Sequence, residues 1–421
     1  MKSFNFLLIP FAYNIYDLSQ LEEIKNELIK FGHKAFKLEK KITEEGLCKL
    51  INNGDFNCVF RVNGPRPKKI KKNIRFITWY QDYFYDSDNQ LESFKSSDIV
   101  YFYTAPEAYG IQKKPNCLTS NFYPGINDID SGDDLHSISK ITSINKYQNV
   151  DLSLLGAILS VNICNFNNSY FRNYNIDENH KIAELDHSYF LKQINKKEKK
   201  ISIYKFKELI CELQNIVELS YKPLSGELEV FRIAKKIKEK IMENFEFYDV
   251  DFFKGWIRFF STEYPRFLDR IHMARLIANY SNKFIVVSDG WERLDEFKDF
   301  YREKIDDKDE LYELLKRSKI NLYTNTHGGG MHNKIFEIMI NGGFVALPIS
   351  SRNNMLGGIE ECFIDGEHFS SFNPHKFDEF IDNWLNNSEK RLLIGNNARK
   401  EVLNKHTWRS RIYKLLNDLS H

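Results

Sequence analysis

Hydrophobic residues in the first part of the chain form short runs that alternate with segments of helical periodicity. Residues 4–10 are a nearly continuous apolar run, as expected of a strand buried on both faces. Apolar residues then recur at a spacing of three and four over residues 17–31, which predicts a helix that ends at Gly32. Further strand-like runs lie at residues 34–38, 58–62, 75–79, 99–103 and 118–122. This alternation predicts a doubly wound parallel sheet.

The same rhythm returns after a charged and mainly helical middle section. A polar stretch at residues 131–143 is typical of an inter-domain linker, and a new strand is predicted at 150–155. Residues from about 187 to 265 are predicted to form a helical insert. Strand-like runs then appear at residues 284–287, 320–323, 344–347 and 361–364, with helices at 307–317, 331–340, 377–386 and 390–404. The fold class expected is α/β, with two doubly wound, Rossmann-like domains.

Length, composition and charge support two domains and exclude several functional classes. A chain of 421 residues exceeds the roughly 250–300 residues that one hydrophobic core serves. Hydrophobic residues make up 42% and charged residues 28%, which excludes a mainly disordered chain. Sixty basic residues against 58 acidic ones give a net charge of +2, so we expect no nucleic-acid partner.

Cysteine usage and hydropathy indicate in which cellular compartment the protein is expected. The six cysteines stand singly, with no C-x-x-C pair, which argues against a disulfide framework or a zinc knuckle and favours a reducing cytoplasm. No stretch approaches the roughly 18 apolar residues that span a bilayer, and the apolar start is expected to be a core strand instead of a signal peptide. We expect a soluble cytoplasmic protein, which leaves peripheral attachment to the inner membrane face open.

The segment from residue 320 to residue 348 is the most informative for function. A predicted strand leads into Gly328, Gly329 and Gly330, and a helix begins at about Met331. Successive glycines before a helix let a ligand approach the backbone, and the first N–H groups of the helix favour an anion. The chain has no G-x-x-x-x-G-K-[ST] motif and no G-x-G-x-x-G after its first strand, which disfavours P-loop and simple dinucleotide sites.

Two charged residues on this predicted helix allow two interpretations. Lys334 and Glu337 lie three residues apart, where their side chains can meet as a surface ion pair worth a few tenths of a kcal/mol. Alternatively, Lys334 neutralises a phosphate while Glu337 accepts hydrogen bonds from ribose hydroxyls. His327 and His332 flank the glycines, within reach of phosphate or sugar hydroxyls. No carboxylate accompanies them at metal-ligand spacing, so no metal site is expected.

The stretch GMHNKIFEIMINGGFVAL resembles the nucleotide-sugar segment of group 1 glycosyltransferases of the GT-B type. It is closest to the spore-maturation-like branch, whose pattern is G-M-x-x-R-x-F-E-x-x-x-x-G-G. FIVVSDGW, at residues 284–291, is similar to the strand and G-W turn before that segment, and KHTWRSRIYKL, at 405–415, to the closing helix. The resemblance covers residues 270–420 well and 1–155 in outline. It implies an acceptor-side domain at 1–145, a nucleotide-sugar domain at 146–405, and a helix at 406–421 that packs back on the first domain.

The resemblance also implies roles for individual residues on the donor side. Glu337 is implied to bind the donor ribose, and Lys334, where arginine is usual, the diphosphate. The donor-binding residues expected are Gly290, Gly329, Gly330, Met331, His332, Asn333, Lys334 and Glu337. Many retaining relatives carry an acidic residue where Gly329 stands here, which leaves the stereochemical outcome open. The family works without metal or cofactor, because the helix dipole and basic side chains stabilise the leaving diphosphate.

Candidates for the acceptor side lie in the first domain. The stretch IRFITWYQDYFYD, at residues 74–86, resembles the family's W-x-x-D region. Asp82 is the candidate catalytic base, although it is equally suited to cap the next helix or turn. Trp79 and Tyr83 are candidates for stacking on acceptor sugars. Arg61, like Asn63 and Arg66, is a candidate for contacting an anionic acceptor or the donor.

The leading hypothesis is a cytoplasmic glycosyltransferase with a nucleotide-sugar donor and a glycan or glycolipid acceptor. Cell-surface polysaccharide or lipopolysaccharide synthesis is the expected setting. One alternative is a nucleotide-sugar epimerase or hydrolase on the same fold. The other is a non-catalytic glycan-binding protein with a degenerate transferase fold.

Overall fold

A computed structural model of the chain describes residues 3–71, 73–81, 91–106, 111, 115–127, 150–156, 175–176, 182–183, 203–227, 229–244, 256–281, 283–288, 290–303, 305, 307–324 and 331–420. The predicted linker at residues 131–143 lies outside these ranges. Within them, no helix is long and apolar enough to cross a bilayer.

The first domain is built on a six-stranded parallel sheet. Its strands are β1 (Asn5–Ile9), β2 (Lys34–Lys37), β3 (Cys58–Val62), β4 (Arg75–Tyr80), β5 (Ile99–Phe102) and β6 (Leu118–Asn121), in the order β2-β1-β3-β4-β5-β6. Helix α1 (Ile15–Lys30) connects β1 to β2 and begins at Asn14, whose side chain accepts from the Asp17 N–H. Helix α2 (Glu44–Asn53) begins at Thr43 in the same way.

The second domain repeats this plan with another six-stranded parallel sheet. Its strands are β7 (Leu152–Leu155), β10 (Phe284–Val287), β11 (Tyr301–Arg302), β12 (Ile320–Leu322), β13 (Val345–Pro348) and β14 (Ser370–Phe372), in the order β11-β10-β7-β12-β13-β14. A two-stranded antiparallel pair, β8 (Asn175–Ile176) and β9 (Ile182–Ala183), lies between β7 and β10 in the sequence. The prediction of two parallel α/β domains is confirmed.

Helices occupy most of the rest of the second half. They are α3 (Ile203–Glu218), α4 (Val230–Asn244), a π-helix at Phe259–Glu263 that continues into α5 (Tyr264–Tyr280), α6 (Lys308–Arg317), α7 (Asn333–Ile340), α8 (Phe377–Asn386), α9 (Ser388–Lys405) and α10 (Trp408–Asp418). Short 3-10 turns lie at Trp291–Arg293, Asp295–Phe297, Ile359–Glu361 and Pro374–Lys376.

One predicted strand is wrong. Residues 361–364 are not a strand, because Ile359–Glu361 forms a 3-10 turn that buries Ile359 and Phe363 while Ile364 is 58% exposed. The sixth strand of the sheet is β14 (Ser370–Phe372), which pairs with β13. The isolated apolar residues of this stretch belong to a turn, and their spacing alone does not distinguish the two structures.

The last helix of the chain packs on the first domain. Trp408 of α10 makes an edge contact with Trp79 of β4, with ring centroids 6.2 Å apart. The hydroxyl of Tyr101 donates a 2.6 Å hydrogen bond to Asp418. Backbone hydrogen bonds of 3.1 and 3.0 Å join Ile126 to His406 and Trp408, so the segment before α10 lies beside the end of the first domain.

Candidate functional site

The carboxyl ends of the strands of the second sheet meet at one edge, because the strands are all parallel. Gly156 follows β7, Gly290 lies after β10, and Tyr323 follows β12. Both glycines have positive φ angles, 148° and 100°. The carbonyl of Gly156 accepts a 2.8 Å hydrogen bond from the indole N–H of Trp291, which ties the two turns together. The structure therefore places the candidate Gly290 at the edge where a ligand of this fold is expected.

Arg270 extends from α5 to the same edge. A Cβ atom at Gly156 would lie 2.8 Å from the guanidinium Cζ of Arg270, so the backbone can approach that group only as glycine. Burial lowers the pKa of Arg270, and the charge of Arg266 lowers it further, while Glu263 opposes this change. The guanidinium is therefore a buried cation with another cation close by.

Glu263, at the end of the π-helix, organises these arginines. Its carboxylate lies 3.0 Å from Arg266 and 3.6 Å from Arg258. Burial acts to raise the pKa of Glu263, but Arg266, Arg258 and Arg270 outweigh burial and hold that pKa below its usual value. Single π-helical turns often occur at functional sites, where they change the direction of side chains along a helix.

Lys334 lies near the start of α7 and is half-buried. Burial, together with the charges of Arg270 and Arg266, lowers the pKa of its ammonium to about 7, whereas Glu337 acts to raise that pKa. The predicted proximity of Lys334 and Glu337 is thus one part of a larger group of charges. We name as the cation cluster the linked side chains of Arg258, Arg266, Arg270 and Lys334.

The cation cluster carries more positive than negative charge. Its four cations interact with three carboxylates among the described residues, those of Glu263, Asp269 and Glu337. Burial makes such an excess costly unless a ligand anion balances it. Two buried polar atoms, Nε of Arg266 and Oδ1 of Asn333, also have no hydrogen-bond partner among the described residues. The arrangement suits a polar, anionic ligand.

The start of α7 differs from the expectation that the Met331 backbone lines the phosphates. The N–H of Met331 donates a 2.7 Å hydrogen bond to the carbonyl of Gly357, and the N–H of His332 donates to the hydroxyl of Tyr323 at 3.1 Å. Met331 itself is buried. Both N–H groups are therefore used within the protein. Gly329 and Gly330 lie outside the described residues.

The histidine at the start of α7 belongs to the same electrostatic environment. The side chain of His332 is exposed at the surface, but protein atoms crowd its ring on the inner side, and this desolvation with the charges of Lys334, Arg266 and Arg270 holds its pKa below the usual value. A neutral imidazole next to the cations can accept or donate one hydrogen bond at each nitrogen. His332 therefore adds hydrogen-bonding capacity without a further charge.

The acceptor-side candidates separate into different environments. Trp79 is fully buried in the core between β4 and α10, where its ring meets Phe122 at 5.1 Å as well as Trp408. A ring packed in this way has no face for a sugar, so Trp79 belongs to the core. The sequence pattern does not reveal that Trp79 is a core residue, because the central strands are covered on both faces and therefore show no alternation of apolar and polar residues. Asp82 and Tyr83 lie outside the described residues.

The two arginines of this region are also held by the protein. Arg61, at the end of β3, donates a 3.0 Å hydrogen bond to the carbonyl of Pro65, and burial lowers the pKa of its guanidinium. Arg66 is buried in an ion pair with Asp98 at 2.8 Å and also donates to the carbonyls of Ile74 and Lys71. Arg66 therefore stabilises the fold, while Arg61 lies at the carboxyl edge of the first sheet.

The two domains meet at the carboxyl edges of their sheets. The Thr104 hydroxyl, just after β5, donates a 2.9 Å hydrogen bond to the carbonyl of Leu356 in the loop that follows β13. Gly357, with a φ of 87°, packs so closely on Thr104 that a Cβ there would lie 2.8 Å from the Thr104 Cα. Tyr323 lines a cavity with Thr104 between the domains and feels the charges of Arg270 and Arg266, so the cation cluster stands beside that cleft.

Sequence reasoning missed the residues of α5 and its π-helix. Arg258 and Glu263 lie within the predicted helical insert and Arg266 and Arg270 directly follow it, and the sequence pattern gives none of them a role in the candidate site. One signal was present, since residues 256–277 are apolar on nearly every helical face and their charged side chains must share a buried environment. Whether these buried charges face a ligand site or the interior depends on tertiary contacts that the sequence does not display.

Comparison with known proteins shows what this part of the chain is similar to. A search of curated protein sequences gives no match. Residues 265–417 match the model of a family described as glycosyl transferase-like. This segment is therefore similar to glycosyltransferases of that family. It contains Arg266, Arg270, Lys334 and Glu337, and the wider chain surrounds it with the first domain and the helical section.

Solved structures support the same fold over the full chain. A glycosyltransferase from Rickettsia africae ESF-5 has a TM-score of 0.52 at 12% identity, covering 100% of this chain and 98% of that one. Anabaena HepE in complex with UDP-glucose has a TM-score of 0.53 at 10% identity, covering 99% of each chain. HepE in complex with UDP and glucose gives 0.52 at 10% identity, again over 99% of each. The protein has the GT-B fold.

Proposed function

We propose that the protein is a glycosyltransferase that moves a sugar from a nucleotide-sugar donor to a glycan or glycolipid acceptor. The observation that carries this proposal is the cation cluster beside the cleft between two GT-B domains. The diphosphate of a nucleotide sugar has two negative charges, and this group of buried cations suits such an anion. The family match, which starts at residue 265, supports the same conclusion.

The donor is proposed to bind with its diphosphate on the cation cluster. Arg266, Arg270 and Lys334 then neutralise the two phosphates, and Arg266 supplies its buried Nε as a hydrogen-bond donor. Glu337, one turn further along α7, accepts hydrogen bonds from the ribose hydroxyls. Asn333 offers the buried Oδ1 atom to a hydroxyl of the ligand. Gly290, Gly329, Gly330 and His332 remain candidates for the same site.

The chemistry is a substitution at the anomeric carbon of the donor sugar. The acceptor hydroxyl oxygen bonds to that carbon, and the bond from the carbon to the β-phosphate oxygen breaks, so the electron pair leaves with the nucleoside diphosphate. The acceptor proton passes to a base, for which Asp82 is our candidate. The cation cluster stabilises the charge that develops on the leaving diphosphate, and this scheme needs no metal ion and no cofactor.

The setting we propose is cytoplasmic synthesis of a cell-surface polysaccharide or lipopolysaccharide, at the inner membrane face. We also place the enzyme in the spore-maturation-like branch, because Gly330, Met331, Lys334, Phe336 and Glu337 follow that pattern with one change, lysine for arginine. UDP-glucose is the first donor to test, since HepE, which shares the fold, forms a complex with it.

Calorimetric titration with nucleoside diphosphates and UDP-glucose tests the donor site. We expect a folded sample to bind at least one of these ligands, and Arg270→Met to weaken that binding at least about tenfold. Arg275→Met is the matched control, because Arg275 lies on the same helix but pairs with Glu296 instead. Absence of binding by every nucleotide would contradict the proposed function.

Analysis of the reaction products separates the proposal from its alternatives. Incubation of the donor with cell-surface glycans should give a lengthened glycan and free nucleoside diphosphate in equal amounts. Complete conversion of the nucleotide sugar without acceptor would indicate an epimerase or hydrolase. Binding of glycans with no conversion of any donor would indicate a non-catalytic protein.

A further inference from the structure

A cavity at the domain interface lies next to the cation cluster. Its lining includes Thr104 of the first domain and Tyr323, Met331, Arg352 and Asn353 of the second. Tyr323 belongs to both places, because its hydroxyl contacts the start of α7 and its charge state is coupled to Arg270 and Arg266. Tyr323 therefore links the cation cluster to the cavity.

Among the described residues that line the cavity, Arg352 is the one with a positive charge. Residues outside the cavity hold its side chain in place. Its Nε donates a 3.2 Å hydrogen bond to the carbonyl of Gly226, and the N–H of the preceding Ser351 donates to the carbonyl of Ser225 at 3.0 Å. Burial lowers the pKa of the guanidinium. The residue is half-buried, so a ligand in the cavity can reach it.

The carbonyls that hold Arg352 belong to a turn between α3 and α4, in the helical section. We name residues 221–226 the bracing turn. It contains two residues with positive φ, Leu224 at 59° and Gly226 at 72°. Leucine in this conformation is uncommon and persists only where the surroundings impose it. Leu224 is also 2% exposed, so the turn is packed into the protein.

Asp269 fixes the bracing turn to α5. One carboxylate oxygen of this fully buried residue accepts a 2.7 Å hydrogen bond from the Tyr221 hydroxyl and a 2.8 Å hydrogen bond from the Leu224 N–H. Burial raises the pKa of Asp269 to about 7, while these two donors act to lower that pKa. Asp269 directly precedes Arg270. The turn thus joins the helix that carries the cation cluster to the loop that carries Arg352.

We propose that Arg352 determines donor specificity by hydrogen bonding to the oxygen atoms of the donor sugar, and that Asp269 positions it through the bracing turn. This inference rests on the proposed function, because it uses a diphosphate bound at the cation cluster. The sugar is bonded to the β-phosphate and must face the acceptor, so it lies toward the first domain, where the cavity is. A guanidinium has five N–H donors and no acceptor, which matches hydroxyl and carboxylate oxygens. An acidic sugar forms the strongest contact with it.

The test compares UDP, UDP-glucose and UDP-glucuronate by calorimetric titration of the full-length protein. We expect Arg352→Met to weaken binding of the nucleotide sugars at least about tenfold, or about 1.4 kcal/mol, and to leave UDP affinity within about twofold. Arg302→Met, at an exposed arginine of β11, is the matched control and should change none of the three affinities. Equal loss for UDP and the sugars, or no loss, would overturn the role of Arg352.

The positioning role is tested at Asp269 with a conservative variant. Asp269→Asn keeps an oxygen that can accept both hydrogen bonds and should retain selectivity for the nucleotide sugars. Asp269→Ala should lose this selectivity as Arg352→Met does. Tyr221→Phe, which removes one hydrogen bond only, gives a milder form of the same change if the alanine variant does not fold. A loss of thermal stability with unchanged selectivity in both Asp269→Ala and Tyr221→Phe would refute the positioning role.

These outcomes are distinct from a failure of the proposed function. If the wild-type protein binds none of the three ligands, the donor site is refuted together with its sugar-binding part. If the wild type binds UDP and the sugars but the Arg352 variants keep their selectivity, only the present inference fails.

Discussion

Donor binding is expected to depend on pH through Lys334. Burial and the charges of Arg270 and Arg266 lower the pKa of this ammonium to about 7 in the ligand-free protein. A diphosphate at the cation cluster supplies two negative charges and returns that pKa toward its usual value. Binding above pH 7 must therefore take up a proton. The experiment therefore varies the pH, and the variant Lys334→Arg shows which part of the pH dependence comes from Lys334.

The magnitude follows from proton linkage. If ligand binding raises the pKa of Lys334 from about 7 to about 10, the affinity rises about tenfold for each pH unit as the pH falls from 9 toward 7. Below pH 7 the ammonium is already protonated in the free protein, and the affinity levels off. Proton uptake should be about 0.9 per ligand at pH 8 and about 0.5 at pH 7.

Calorimetric titration with UDP-glucose measures both quantities. This ligand is preferable to UDP, because a terminal phosphate also titrates near pH 6, roughly where the profile levels off. Titrations in two buffers of different ionisation enthalpy give the number of protons taken up. Lys334→Arg, which is charged at every pH, should bind with a flat profile between pH 7 and 9. A flat profile in the wild type, or an unchanged slope in Lys334→Arg, would refute the reasoning.

Two further predictions concern the frame of the site. Gly357→Ala should lower the free energy of unfolding, measured in urea, by about 1–3 kcal/mol, because a Cβ there would meet the Thr104 backbone at 2.8 Å. Gly366→Ala is the control, since Gly366 has a similar φ of 79° but open space around it, and it should lose less. Equal losses in the two variants would argue against the close approach at Gly357. Asp98→Ala should cost about 3–5 kcal/mol in the same assay, because it leaves the buried Arg66 without its carboxylate, and a loss below about 1 kcal/mol would contradict that.

The fold was largely predictable because strands and helices leave different periodicities. The six strands of the first domain lie within one or two residues of the predicted runs. The failure at residues 361–364 arose where apolar residues were few and isolated. Trp79 shows a second limit, because a continuous apolar run indicates burial but does not tell which ring lines a cleft and which fills a core.

Residues of the candidate site could be grouped from the sequence only where they are close along the chain. Lys334 and Glu337 share one turn of helix with a recognisable motif, so the sequence displays them together. Arg266 and Arg270 stand more than 60 residues earlier and reach Lys334 only through the packing of α5 against the edge of the sheet. Arg352 depends on a turn in the helical section, to which the sequence assigned no role.

The electrostatics of the cation cluster distinguish a binding site from a structural ion-pair network. A network that stabilises the fold holds its cations at raised pKa values, whereas here burial and like charges lower the pKa of Lys334. A lysine with a lowered pKa destabilises the folded state wherever it is protonated in the unfolded chain, and this penalty shrinks as the pH rises from about 7 toward 10. Lys334→Met should therefore raise the melting temperature at pH 7 by at least about 2 °C while it weakens donor binding. A higher melting temperature together with weaker donor binding would indicate that the cations of the site repel one another until a ligand anion binds. A loss of both stability and binding would instead assign Lys334 to the structural framework.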